Sequence, residues 1–190
     1  KELKLKSMPT VLIMSGGWGL TLKPELLRQL TSWADRIQLI FCTGSNMKLQ
    51  EKMEENSMYS HPHITILGYT DQINKLMDVS DLLITKPGGM TCTEGLAKGI
   101  PMLFHEAIPG QEEQNSRFFV NQGFAETIHS PDVIEKWFHL ITDHYEQFEA
   151  RRQQPNRNEP YLQPAYCAQT VLTMVIEQPY APTAWTAANP

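Results

Sequence analysis

ITKPGGMTCTEGLAKGIPMLFHEAIPGQEEQN, residues 84–115, is the stretch whose reading decides the fold. Leu82, Leu83 and Ile84 form an apolar run bounded by polar residues, the pattern of a buried parallel strand. Lys86-Pro87-Gly88-Gly89 ends it, because proline lacks an N–H and glycine frees φ. Thr91 then opens a helix, with Glu94 three residues on at capping-box spacing. Gly99 and Pro101 close that helix, and Met102-Leu103-Phe104 supplies the next strand. Strand, glycine turn, helix and strand make one βαβ unit. Free backbone N–H groups at such a helix start form a ready receptor for phosphate oxygens.

The same alternation extends on both sides. Upstream, residues 10–14 (TVLIM), 37–42 (IQLIFC) and 64–67 (ITIL) read as strands. Between them, Leu26, Leu27, Leu30 and Trp33 mark one helical face behind Pro24, and Leu49 and Met53 mark a thinner one in a helix over 48–57. Asp71 is placed to cap a short helix carrying Ile73, Leu76 and Met77. Downstream, residues 112–122 read as a helix burying Phe118 and Phe119, and 124–128 as a sixth strand. Ser130-Pro131-Asp132 opens a helix whose apolar face runs from Val133 through Trp137 and Ile141 to Phe148. Six short strands alternating with helices predict an α/β fold, a doubly wound, Rossmann-like parallel sheet with helices on both faces. In the order 3-2-1-4-5-6, the loops after strands one and four open onto one crevice at the topological switch point.

The expected organisation is a leader over 1–9, a Rossmann-like domain over 10–152 and an exposed Pro/Asn/Gln/Arg-rich connector over 153–164. A C-terminal helix over 165–178 and a flexible Pro/Ala/Thr-rich tail over 179–190 follow. With 190 residues, 41% hydrophobic and 19% charged, the chain suits one globular domain. A net charge of −5 and no basic run longer than Arg151-Arg152 argue against nucleic acid as the partner. No window reaches transmembrane length, and the charged start is not a signal peptide. Three scattered cysteines, Cys42, Cys92 and Cys167, favour reduced thiols in a cytoplasmic setting over a disulfide framework, and show no metal spacing.

Three motifs each carry two readings. Ser15-Gly16-Gly17-Trp18-Gly19 fails the dinucleotide spacing and is either a tight βα turn or a phosphate loop. Glu94 is either the reciprocal half of a capping box or a carboxylate that accepts from vicinal ribose hydroxyls. Pro109 to Asn115 either matches acids to a helix dipole or clamps sugar hydroxyls with the Gln111–Glu112 pair. His105, alone of six histidines, falls near the crevice, where it reads as a packing or hydrogen-bonding residue and not a base.

The two motifs ITKPGGMTCTE and PGQEEQN together resemble the C-terminal, donor-binding domain of GT-B glycosyltransferases. The likeness is to the diacylglycerol glucosyltransferases of Gram-positive bacteria and the plant monogalactosyldiacylglycerol synthases, and more distantly to the peptidoglycan UDP-N-acetylglucosamine transferase. The resemblance implies one half of a GT-B fold and an inverting hexosyltransferase that takes UDP-glucose or UDP-galactose to a diacylglycerol acceptor. By that likeness Gly88, Gly89, Met90 and Thr91 hold the diphosphate, with Gly16 and Gly17 closing over it. Glu94 holds the ribose, Gly68 and Tyr69 lie against uracil, and Gln111 and Glu112 contact the sugar with support from Asn115. No metal or cofactor is implied. Family members carry a preceding acceptor domain with the general base and the membrane-facing surface. The expectation is therefore a fragment, or the donor half of a split enzyme such as the two-subunit dolichol-linked transferase, inactive alone and peripheral at the membrane when full-length. The alternatives are a non-catalytic UDP-binding module paired with a partner chain, and an epimerase on the same fold.

Overall fold

The computed structural model describes residues 7–14, 22–153 and Thr173. Contacts divide the chain into units 1–155 and 156–190, and every strand of the sheet belongs to the first. The expected 153–164 connector, 165–178 helix and 179–190 tail lie essentially outside the described residues, as do Gly16, Gly17 and Trp18.

Among the described residues six strands form one sheet: β1 (Thr10–Met14), β2 (Gln38–Cys42), β3 (Ile64–Leu67), β4 (Leu82–Thr85), β5 (Met102–Phe104) and β6 (Ala125–Thr127). Their order is β3-β2-β1-β4-β5-β6, and every pairing is parallel. The apolar runs predict this closely because a parallel strand is covered on both faces and has no polar side to confuse the pattern. β1, β2, β4 and β5 are buried at every position.

The helices are α1 (Pro24–Thr31), α2 (Met47–Glu54), α3 (Ile73–Asp78), α4 (Gly89–Lys98), α5 (Gln111–Asn121), α6 (Pro131–Asp143) and α7 (Tyr145–Gln153). One core cluster joins Val11, Ile13, Leu39, Phe41 and Ile84 of the sheet to Leu30 of α1, Met53 of α2, Phe138 of α6 and Phe148 of α7. On the opposite face α4 lies so close that a Cβ on Gly95 would sit 3.0 Å from Met102 Sδ and 3.3 Å from Leu83 Cδ2. Gly95→Val should therefore overpack this face and lower stability by roughly 1–3 kcal/mol in denaturant unfolding.

Four expectations need correction. Thr91 does not cap α4: the helix enters two residues earlier with Gly88 as N-cap and no side-chain cap, which leaves Thr91 in its first turn and dissolves the capping box. Asp71 does not cap α3; Gln72 holds that position, and its N–H donates to Thr70 Oγ1 at 3.1 Å. Phe118 is 44% exposed while Phe119 is buried, since adjacent positions on a helix point about 100° apart and only one can face the sheet. The helix expected to run unbroken to Phe148 splits at His144, which leaves helical geometry (φ −135°, ψ 45°). Tyr145 then donates to Asp81 at 2.9 Å, and Asp81 also receives the Thr10 N–H, which ties α7 to the amino end of β1.

Candidate functional site

β1 and β4 are hydrogen-bonded neighbours, so the sheet reverses its winding between them. At the carboxyl end of β4 the chain turns through Lys86 and Pro87, with the Gly88 N–H bonded to Lys86 O at 2.8 Å. Pro87 cannot donate and Gly88 is extended (φ −74°, ψ 133°), so α4 starts abruptly. Its first intrahelical bond runs from Cys92 N to Gly88 O at 2.9 Å. The N–H groups of Gly89, Met90 and Thr91 precede that bond and meet no side-chain cap. Gly88 has nothing within 4 Å of a Cβ position, so the approach to these donors is open.

A second uncapped helix end stands beside it. α5 starts behind Gly110, whose φ of 104° only glycine adopts readily. Asn115 Nδ2 donates to Pro87 O at 3.0 Å and binds α5 to the turn before α4. Glu112 Oε2 accepts the Ile108 N–H at 2.9 Å, which closes the loop on itself; Gln111 is exposed. The start of α4 therefore favours an anion, whereas α5 carries Glu112 and Glu113 in its first turn, which already match its dipole. Lys86 adds a half-buried ammonium that makes no ion pair among the described residues. Sequence pattern does not single it out, although it stands directly before Pro-Gly-Gly.

The other expected site residues fall around this point. Glu94 is exposed in the second turn of α4 and makes no hydrogen bond or ion pair among the described residues. Met90 is 78% exposed. Gly68 and the exposed Tyr69 follow β3, three strand spacings from β4, or about 14 Å. The Gln50 carboxamide covers one side of Gly68 and occupies the place a Cβ there would take.

His105, immediately after β5, is 3% exposed. Burial pushes its pKa down to about 4, and the Lys86 charge adds to this; a hydrogen bond to the Met14 backbone pulls the other way. The folded ring is therefore neutral at ordinary pH. An unfolded histidine titrates near 6.5, so the unfolded chain binds the extra proton between about pH 6.5 and 4. Stability from this residue is complete above that window and drains as pH falls through it, on the order of 3 kcal/mol. His105→Gln should flatten this limb of a stability-against-pH curve. Burial likewise pushes Cys42 and Cys92 up to about 12, and both thiols are free. Among the described residues no cluster of His, Cys, Asp and Glu could hold a metal ion, and no helix is long and apolar enough to cross a membrane.

Comparison with known proteins agrees with this architecture. Residues 10–167 match the family described as the glycosyltransferase family 28 C-terminal domain. The processive diacylglycerol β-glucosyltransferase of Bacillus pumilus is 32% identical over 169 residues, which is 88% of this chain and 43% of that protein. The chain thus spans less than half the length of this relative. Among solved structures, Acinetobacter baumannii MurG superposes with a TM-score of 0.64 at 18% identity, over 92% of this chain and 52% of its own. UDP-GlcNAc 2-epimerase from Neisseria meningitidis, bound to UDP-GlcNAc, gives a TM-score of 0.63 at 13% identity, over 90% and 45%. Both share the fold.

Proposed function

From the premise that the chain belongs to the glycosyltransferase family 28 C-terminal domain family, we propose that it is the UDP-sugar-binding half of an inverting hexosyltransferase. Its acceptor is a diacylglycerol-type lipid, and the acceptor domain with the general base lies outside these 190 residues. The observation that carries this reading is the uncapped start of α4 beside Lys86, with α5 fixed against its entry turn by the Asn115–Pro87 hydrogen bond.

In this reading the diphosphate sits on the N–H groups of Gly89, Met90 and Thr91, with Gly88 granting close approach. Uridine extends toward β3, with the ribose hydroxyls on Glu94 and uracil at Gly68 and Tyr69. The hexose lies toward α5, against Gln111 and Glu112, with Asn115 holding the turn. An acceptor hydroxyl attacks the anomeric carbon opposite the diphosphate, the carbon–oxygen bond to UDP breaks, and negative charge grows on the departing phosphate. Fixed N–H dipoles and the Lys86 ammonium oppose that charge where it develops, without reorganisation during the reaction. The acceptor's proton goes to the base of the other domain.

Thermal unfolding tests the donor assignment. A ligand that binds only the folded chain at a hundredfold excess over Kd adds about 2.7 kcal/mol, or roughly 5–10 °C for a domain of this size. UDP should produce that shift and ADP should not. Equal shifts from both would remove the uracil subsite.

A further inference from the structure

A cavity of about 530 Å³ opens at the same edge of the sheet, beside the proposed donor pocket. Leu22 and Leu26 at the start of α1 face His105 and Glu106 after β5, and Ile128 and Pro131 after β6 complete the wall. Gln29 braces it: Nε2 donates to Pro131 O at 2.8 Å and to Glu135 Oε1 at 2.9 Å, which fixes α1 against α6. The volume falls within the roughly 300–1,000 Å³ of small-molecule sites.

Its chemistry is divided. The wall is mostly apolar, with Glu25, Gln29, His129 and Ser130 as polar members and a neutral imidazole closing it, whereas Lys23 and Glu106 stand exposed at the rim, only loosely paired at 3.9 Å. A free sugar or nucleotide would leave hydroxyls unpaired against leucine and isoleucine, a costly burial. A hydrocarbon chain with a small polar head fits both parts. Glu106 is also the single non-glycine residue at positive φ (32°) among the described residues, and such strain gathers at ligand sites. The His105–Glu106 step leads directly into the loop that ends at Gln111, so the cavity and the proposed hexose subsite share one connection.

We infer that this cavity seats an acyl segment of the lipid acceptor, with the glycerol hydroxyls at the Lys23–Glu106 rim. The inference rests on the donor-binding reading above, which brings a lipid acceptor to this edge, and it gives the donor half a share in acceptor recognition.

The test is a titration of the chain with monomeric 1-monoacylglycerols from butanoyl to octanoyl, with UDP titrated in parallel. Affinity should rise about fourfold per methylene, equivalent to ~0.8 kcal/mol. Ile128→Trp, and Leu26→Phe as a milder filling, should flatten that series while the UDP shift stays intact and reports a folded chain. A flat series in the wild type, a filled variant that binds like the wild type, or glucose binding as tightly as octanoylglycerol overturns the acyl site. A chain-length series with no response to UDP contradicts the donor reading, and with it the acceptor role of the cavity.

Discussion

Purified alone, the 190-residue chain is expected to bind UDP yet to transfer hexose to diacylglycerol at less than about 10⁻⁵ of the rate of a full-length glucosyltransferase. Holding acceptor and donor in reacting geometry is worth effective molarities of about 10⁵–10⁸ M, and a positioned general base adds about 10²–10⁴-fold. In the proposed division the acceptor domain supplies the base and the final alignment of the attacking hydroxyl. The chain alone retains electrostatic stabilisation of the leaving diphosphate and a seat for the acyl chain, and neither activates the nucleophile. A radiolabelled UDP-glucose assay with diacylglycerol micelles measures this directly. Steady turnover by the isolated chain would remove the division of labour between two halves.

Replacing Glu94 by alanine should weaken UDP binding about 10- to 100-fold, from the roughly 1.5–3 kcal/mol carried by hydrogen bonds to a charged group. The thermal midpoint without ligand should stay where it is, because the exposed carboxylate makes no contact among the described residues that folding could lose. This combination separates the two roles that the sequence leaves open. A capping carboxylate would lower stability and spare affinity. Calorimetric titration beside a melting curve distinguishes them, and a melting point depressed with unchanged UDP affinity would return Glu94 to a structural role.

The structure shifts the balance between those roles, and the reason shows what local pattern can and cannot read. Thr91-x-x-Glu94 has the spacing of a capping box, but Gly88 and Gly89, which read as turn, lie respectively at the cap and inside the helix. Glycine has no side chain to announce a helix start, so the pattern locks onto the first residue that does. The strands are legible for the opposite reason: runs such as residues 10–14 are covered on both faces and leave no competing periodicity. Right-handed crossovers allow more than one strand order, so 3-2-1-4-5-6 is one option in the sequence and becomes definite only in the pairing of β1 with β4. The break at His144 carries no proline or glycine, so no residue there signals it in advance. Lys86 and Glu106 escape a sequence reading because their interest comes from convergence. Lys86 matters because an uncapped helix starts just behind it, and Glu106 because a residue at positive φ stands at the rim of a cavity between α1 and β6. Neither fact is written in the neighbouring residues.

The central claim, that the bare start of α4 grips a diphosphate, is tested most directly by following backbone amide resonances during titration with UDP, inorganic pyrophosphate and uridine. The account predicts that the amides of Gly89, Met90 and Thr91 move with UDP and with pyrophosphate, and stay still with uridine. Saturable UDP binding that leaves those three amides unmoved would contradict it.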